Sequence, residues 1–207
     1  KYDNNGIKYN YTIEENVLLN NYGLIEYDQN NYIITNTLKH NIEITITKKW
    51  IDNNNSYLTR PSNVVIKVLQ NNKEYKTVTI TGDYTTNEWS NNIAVPVYDS
   101  EGNEYTYTLE ELEVDNYSTT YDSTNLTFTN KLTGEEKITI TKKWLDDSNS
   151  YSTRPTSISV QLKQNNQIYR TINLTGTTNT WKSEEITVPK YDNNGIKYNY
   201  TIEENVL

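Results

Sequence analysis

The run ITITKKW occurs twice, at Ile44 to Trp50 and at Ile138 to Trp144, and leads first into IDNNNSYLTRP and then into LDDSNSYSTRP. From position 44 to position 138 the offset is 94 residues, and the same offset separates IITNTL, ending at Leu38, from TFTNKL, ending at Leu132. A longer run, KYDNNGIKYNYTIEENVL, spans Lys1 to Leu18 and returns without a change at Lys190 to Leu207. A duplication of this length is one domain-sized unit in tandem, not a short solenoid repeat. The predicted layout is the C-terminal part of one repeat at 1–38, a complete repeat at 39–132, and a repeat lacking its last strand at 133–207. Two origins fit: a window on a longer tandem array, or a protomer whose open end accepts strands from the next copy. Half a sandwich leaves strand edges unpaired, so strands supplied from elsewhere are expected to complete the terminal units.

Within each unit, segments alternate apolar and polar with period two, are rich in Ile, Val, Thr and Tyr, and are cut by Asn, Asp and Gly turns. Val64, Ile66 and Val68 are expected to face inward, as are Ile158, Val160 and Leu162, and each run ends at an Asn-Asn pair suited to a tight hairpin. The fold class that follows is all-β: tandem immunoglobulin-like β-sandwiches of about seven strands each. The links TLKHN and KLTGEEK are short, which keeps neighbouring units close.

Composition removes several function classes. Lys and Arg total 19 against 27 Asp and Glu, giving a formal charge of −8, whereas nucleic acid and anionic membranes require a basic face. No apolar run approaches the roughly 18 to 20 residues that span a bilayer, so no membrane insertion is expected in this segment. Cys is absent and His40 is the one histidine, which excludes disulfides, thiolate zinc sites and His- or Cys-based catalysis. No cofactor or metal is expected. The Asp52 to Ser56 loop carries oxygen ligands but lacks the Gly and closing Glu of an EF-hand. Carboxylate pairs such as Asp146 and Asp147 or Glu184 and Glu185 read as solvated turns or edges, and no catalysis on an external substrate is expected.

Three polar residues fall in the inward phase. Ile44, Ile46, Lys48 and Trp50 share one strand face, Leu126, Phe128, Asn130 and Leu132 a second, and Tyr105, Tyr107, Leu109 and Glu111 a third. Lys142 and Glu204 repeat the pattern in the third unit, and Glu15 and Asn36 in the first. Adjacent Lys49 and Glu110 take the opposite, solvated phase. A buried amine, acid and carboxamide must satisfy one another. They can do so as a salt bridge with an Asn partner, or by reaction of the Lys amine with the Asn side chain to give an amide and ammonia. The reaction needs a neutral Lys and a protonated Glu, which burial favours by shifting both pKa values, with Trp50 and Tyr107 as water-excluding walls.

TKKW at Thr47 to Trp50, RP at Arg60 and Pro61, VPVYD at Val95 to Asp99, YTLEE at Tyr107 to Glu111 and FTN at Phe128 to Asn130 together resemble the B-type repeat of Gram-positive collagen adhesins, the Cna B-type domain. The resemblance covers essentially the whole chain. It implies a Lys48–Asn130 isopeptide bond with Glu111 as proton shuttle, and partial sets at Lys142 and Glu204 and at Glu15 and Asn36. It also implies a stalk or fibre repeat of a cell-surface adhesin or pilus-like protein, outside the cell, whose partners are neighbouring repeats of the same chain or fibre. Two alternatives are a ligand-binding module using some of the 19 Tyr, and a strand-complemented covalent fibre in which Asn36 of one copy meets Lys142 and Glu204 of another.

Overall fold

A computed structural model describes residues 1–16, 21–23 and 25–205. Seven strands form the middle unit: β3 (Asn41–Ile51), β4 (Asn63–Gln70), β5 (Lys73–Thr81), β6 (Glu88–Pro96), β7 (Tyr107–Glu111), β8 (Tyr117–Asp122) and β9 (Thr127–Leu132). They make a four-stranded sheet in the order β6-β3-β9-β8 and a three-stranded sheet in the order β5-β4-β7. β3 and β9 run parallel, with Lys48 opposite Phe128 and Trp50 opposite Asn130. The all-β sandwich of seven strands thus has the architecture that the alternating pattern predicts.

Burial follows the strand period. Ile46, Lys48 and Trp50 of β3 are buried between exposed or half-buried neighbours, and Val64, Ile66 and Val68 of β4 repeat the pattern on the opposite sheet. Trp50 stacks edge-on against both Trp89 and Tyr117, with ring centroids 5.0 Å apart in each case. The β4–β5 hairpin turns at Asn71 and Asn72, with φ of 49° and 64°. Two successive positive φ angles define the type I′ turn that matches strand twist, and Asn tolerates them.

Before it in the chain lie β1 (Glu26–Asp28) and β2 (Ile33–Thr35), an antiparallel pair at the positions of β8 and β9 one repeat earlier. After it come β10 (Glu135–Ile138), β11 (Thr141–Lys143), β12 (Ser157–Gln164), β13 (Gln167–Thr175), β14 (Thr180–Lys182), β15 (Ile186–Pro189) and β16 (Tyr200–Glu204). The strand that is continuous as β3 is here divided into β10 and β11, pairing with β15 and β14 respectively. The cause is one additional residue: WSNNIAV at Trp89 to Val95 becomes WKSEEITV at Trp181 to Val188. An unmatched residue in one strand forces a bulge. It is absorbed at Ser183, whose amide and hydroxyl bond the backbone of Ile140. Among the described residues, no helix is long and apolar enough to cross a membrane.

Candidate functional site

Lys48 and Asn130 are both fully buried, on adjacent parallel strands of one sheet. Glu111 ends β7 on the other sheet, so its carboxylate crosses the interior to meet them. Lys48 Nζ lies 2.8 Å from Glu111 Oε1 and donates to Oε2 at 3.0 Å. The side chain of Glu111 is 1% exposed. Asn130 has neither its amide nitrogen nor its carbonyl oxygen hydrogen-bonded, although both atoms are buried. Orphaned buried carboxamides are costly and rare, and this one lies on the strand that runs parallel to that of Lys48, on the same buried face.

Burial pulls the Lys48 ammonium down to about 8, against the opposing pull of Glu111 that favours the charged form. Trp50 forms one wall, with Lys48 Nζ 4.8 Å from its ring centroid. Tyr107, expected as a second wall, instead anchors the far end of β7: its hydroxyl donates to the Pro96 carbonyl at 2.6 Å and accepts from Gln70. Thr119 is the member that strand phase did not reveal. Its hydroxyl donates to Glu111 Oε2 at 3.1 Å, from the residue opposite Asn130 on β8.

The two partial sets show the same carboxylate approached from each side. In the first unit Asn36 Nδ2 donates to both oxygens of Glu15, at 3.3 and 3.0 Å. In the third, Lys142 Nζ lies 2.7 Å from Glu204 and 4.6 Å from the Trp144 ring. The latter pair is exposed where its counterpart is sealed, at 24% and 41% of the side-chain surface. In the middle unit, β8 and β9 close over that position.

A second buried cluster lies under the same tryptophan. Arg60 donates through Nε and Nη2 to the two oxygens of Asp52, each at 2.6 Å, and stacks 5.5 Å from the Trp50 ring. Tyr117 adds a hydroxyl bond to Asp52 at 3.0 Å. Burial pushes the Asp52 carboxyl up, but Arg60, the Asn55 amide and Tyr117 outweigh it and hold the group below its ordinary value. The Asp52 carboxylate of this loop is thus the partner of a guanidinium. The third unit repeats the arrangement with Arg154 and Asp146, so Asp146 is an ion-pair partner and not the freely solvated carboxylate expected. Lys49 and Glu110 are exposed, as their phase predicts.

The seven-stranded middle sandwich, with Lys48, Glu111 and Asn130 between its sheets and partial sets in the units on either side, defines a class of tandem immunoglobulin-like repeats. A model of the Cna protein B-type domain matches residues 44–131 and 138–207, and the chain belongs to that family. It is 34% identical over 210 residues to the collagen adhesin of Staphylococcus aureus, and spans 99% of itself but 17% of that protein. It is also similar to a crystal structure of two B repeat units of the S. aureus collagen binding protein, with 31% identity, a TM-score of 0.47, and coverage of 99% of this chain and 54% of that one. A single B repeat unit of that collagen binding surface protein is 32% identical, with a TM-score of 0.39, covering 81% of this chain and 87% of the other.

Proposed function

We propose that this chain is a stalk segment of an extracellular, wall-anchored or fibre-forming surface adhesin, built of the C-terminal part of one repeat at 1–38, a complete repeat at 39–132 and a repeat lacking its last strand at 133–207. The middle repeat locks itself by an amide between Lys48 and Asn130. The observation that carries the reading is the orphaned, fully buried Asn130 carboxamide on the strand next to that of Lys48, a fully buried amine whose charge is weakened by burial. In the reaction the neutral Nζ attacks the Asn130 side-chain carbon while Glu111, protonated, gives its proton toward the carbonyl oxygen. Glu111 then takes a proton from the attacking nitrogen and delivers it to the leaving amide nitrogen, which departs as ammonia. As the carbon–nitrogen bond breaks, the hydroxyl formed on that carbon returns its proton to Glu111 and becomes the amide carbonyl, so the carboxyl is regenerated and no co-reactant is required. Fixed proximity of the two groups replaces an encounter in solution, the main source of rate in intramolecular reactions.

The bond ties β3 to β9, the strands by which the chain enters and leaves the sandwich. Tension along the chain then passes through the covalent link and not through the core. The side chains act on one another, and no external substrate is turned over. The collagen adhesin is a protein of which this chain matches 17%, and stalk repeats need not carry its binding activity.

Intact-protein mass tests the amide. The native chain is expected to be lighter than its sequence by one ammonia, and Lys48→Ala, Asn130→Ala and Glu111→Gln are each expected to restore the full mass. A native mass equal to that of the sequence would reject the amide and leave a buried ion pair.

A further inference from the structure

The turn Tyr-Asp-x-x-Gly occurs three times, at Tyr2, Tyr98 and Tyr191, and in each copy the Asp side chain accepts amide hydrogens from two and four residues ahead. Each copy ends on a glycine with φ between 73° and 85°. Their surroundings differ. A methyl group added at Gly6 or Gly102 would meet nothing within 4 Å, whereas at Gly195 it would lie 2.5 Å from the Asp52 Cα and 2.8 Å from the Ile51 carbonyl. The turn of the third unit is pressed against the backbone of the middle one.

What it meets there is a loop in which Asn53, Asn54 and Asn55 all have φ between 53° and 56°. Arg60 and Asp52 hold that loop from beneath. The Asn53 amide donates to the Asn194 carbonyl at 3.2 Å, and the Lys197 amide donates to the Tyr57 hydroxyl at 2.8 Å. Tyr57 and Tyr191 pack with ring centroids 5.3 Å apart, and both rest on the core of the middle unit. The third unit has the same left-handed loop at Asp147, Ser148 and Asn149. Among the described residues no turn packs on it: Leu145 and Tyr151, at the positions of Ile51 and Tyr57, are 101% and 81% exposed.

We propose that this left-handed loop is a docking surface for the Tyr-Asp-x-x-Gly turn of the following repeat, so that successive repeats are keyed to one another and not merely linked. Its partner is another repeat of the same kind. The proposal rests on the reading of the chain as stacked repeats, but not on the amide bond. Glycine is required because the turn needs positive φ and because the partner's backbone fills the space of a Cβ. The three Asn residues supply a loop that ordinary side chains would disfavour.

Amide hydrogen exchange on the intact chain tests it. The Asn53 and Lys197 amides are expected to exchange at least about tenfold more slowly than Asp147 and Glu104, their counterparts without a docked partner. Gly195→Ala should bring Asn53 to the rate of Asp147, while Gly102→Ala, with the same backbone conformation, should leave Asn53 unchanged. Retained protection at Val188 of β15 reports that the third unit is still folded. Tyr57→Phe, a milder change, should speed Lys197 alone to the rate of Glu104. Equal exchange of Asn53 and Asp147 in the native chain, or equal effects of the two glycine variants at Asn53, would overturn the docking. Either result would leave stacked repeats on loose links and the stalk reading intact.

Discussion

At the scale of single residues, the middle repeat contains two buried charge clusters of different kinds. Lys48 and Glu111 pair with one another while the buried Asn130 carboxamide on the adjacent strand is left without a hydrogen bond, whereas Arg60 and Asp52 are satisfied in full. On the proposed reading the first reacts, whereas the second is a permanent ion pair. The reactive form of the Lys48–Glu111 pair, neutral amine with protonated acid, holds the same single proton as the ion pair, so pH does not change their ratio while that proton is bound. The proton is lost as pH rises through about 8. Ammonia release after refolding is therefore expected to be flat across neutral pH and to slow about tenfold per unit well above 8. A rate that keeps climbing to pH 10 would remove Glu111 from the proton transfers. The Asp52 carboxyl is held below its ordinary 3.8 in the folded state, so its contribution is complete above about pH 4 and is lost as pH falls through the folded value. Arg60→Ala leaves that carboxylate buried without its partner and is expected to cost the middle unit about 3–5 kcal/mol at neutral pH, read from urea unfolding.

At the scale of elements, β3 and its counterpart in the third unit differ by one inserted residue in the partner strand. ITITKKW is identical in both, yet it forms one strand in the middle unit and two short ones in the third. Local propensity is the same, so the partner decides. Deleting Ser183 restores the spacing of Trp89 to Val95 and is expected to give an unbroken ladder from Glu135 to Lys143. Cross-strand proton contacts by NMR check it, and a persistent break at Thr139 and Ile140 would assign the interruption to the missing parallel neighbour instead. The register of the middle unit was legible in the sequence because one face of every strand is buried, and a slip by one residue would expose it. Lys48, Glu111 and Asn130 could be placed by the same rule, with no knowledge of which strands are neighbours. Thr119 could not, because its contact depends on β8 lying beside β9 and opposite the end of β7.

At the scale of the whole molecule, the proposed stalk role requires tension to pass from one unit to the next. With Lys48 joined to Asn130, the residues between them are bypassed when the ends are pulled. Single-molecule extension is expected to lack the length of residues 49 to 129 in the native chain and to recover it in Asn130→Ala. Full extension of that segment in the native chain would contradict the covalent path. The closed loop also restricts the unfolded chain, an effect of about 4–5 kcal/mol in the chain-entropy treatment of cross-links. Proteolysis of the middle unit should accordingly be faster in Asn130→Ala than in the native chain, at equal protease.

The amino-acid sequence by itself determined the repeat, the all-β class and the inward phase of the amine, acid and carboxamide, because a strand alternates faces with a period no neighbour can alter. Motif order pointed to the family. The tertiary structure decided what depends on proximity between distant segments: that the Asp52 carboxylate belongs to Arg60, that Ser183 bulges, and that Gly195 has backbone where a side chain would stand. The sequence around Gly195 is identical to that around Gly6. What Gly195 meets could therefore not be read from that run, since the contact is made by another unit's surface.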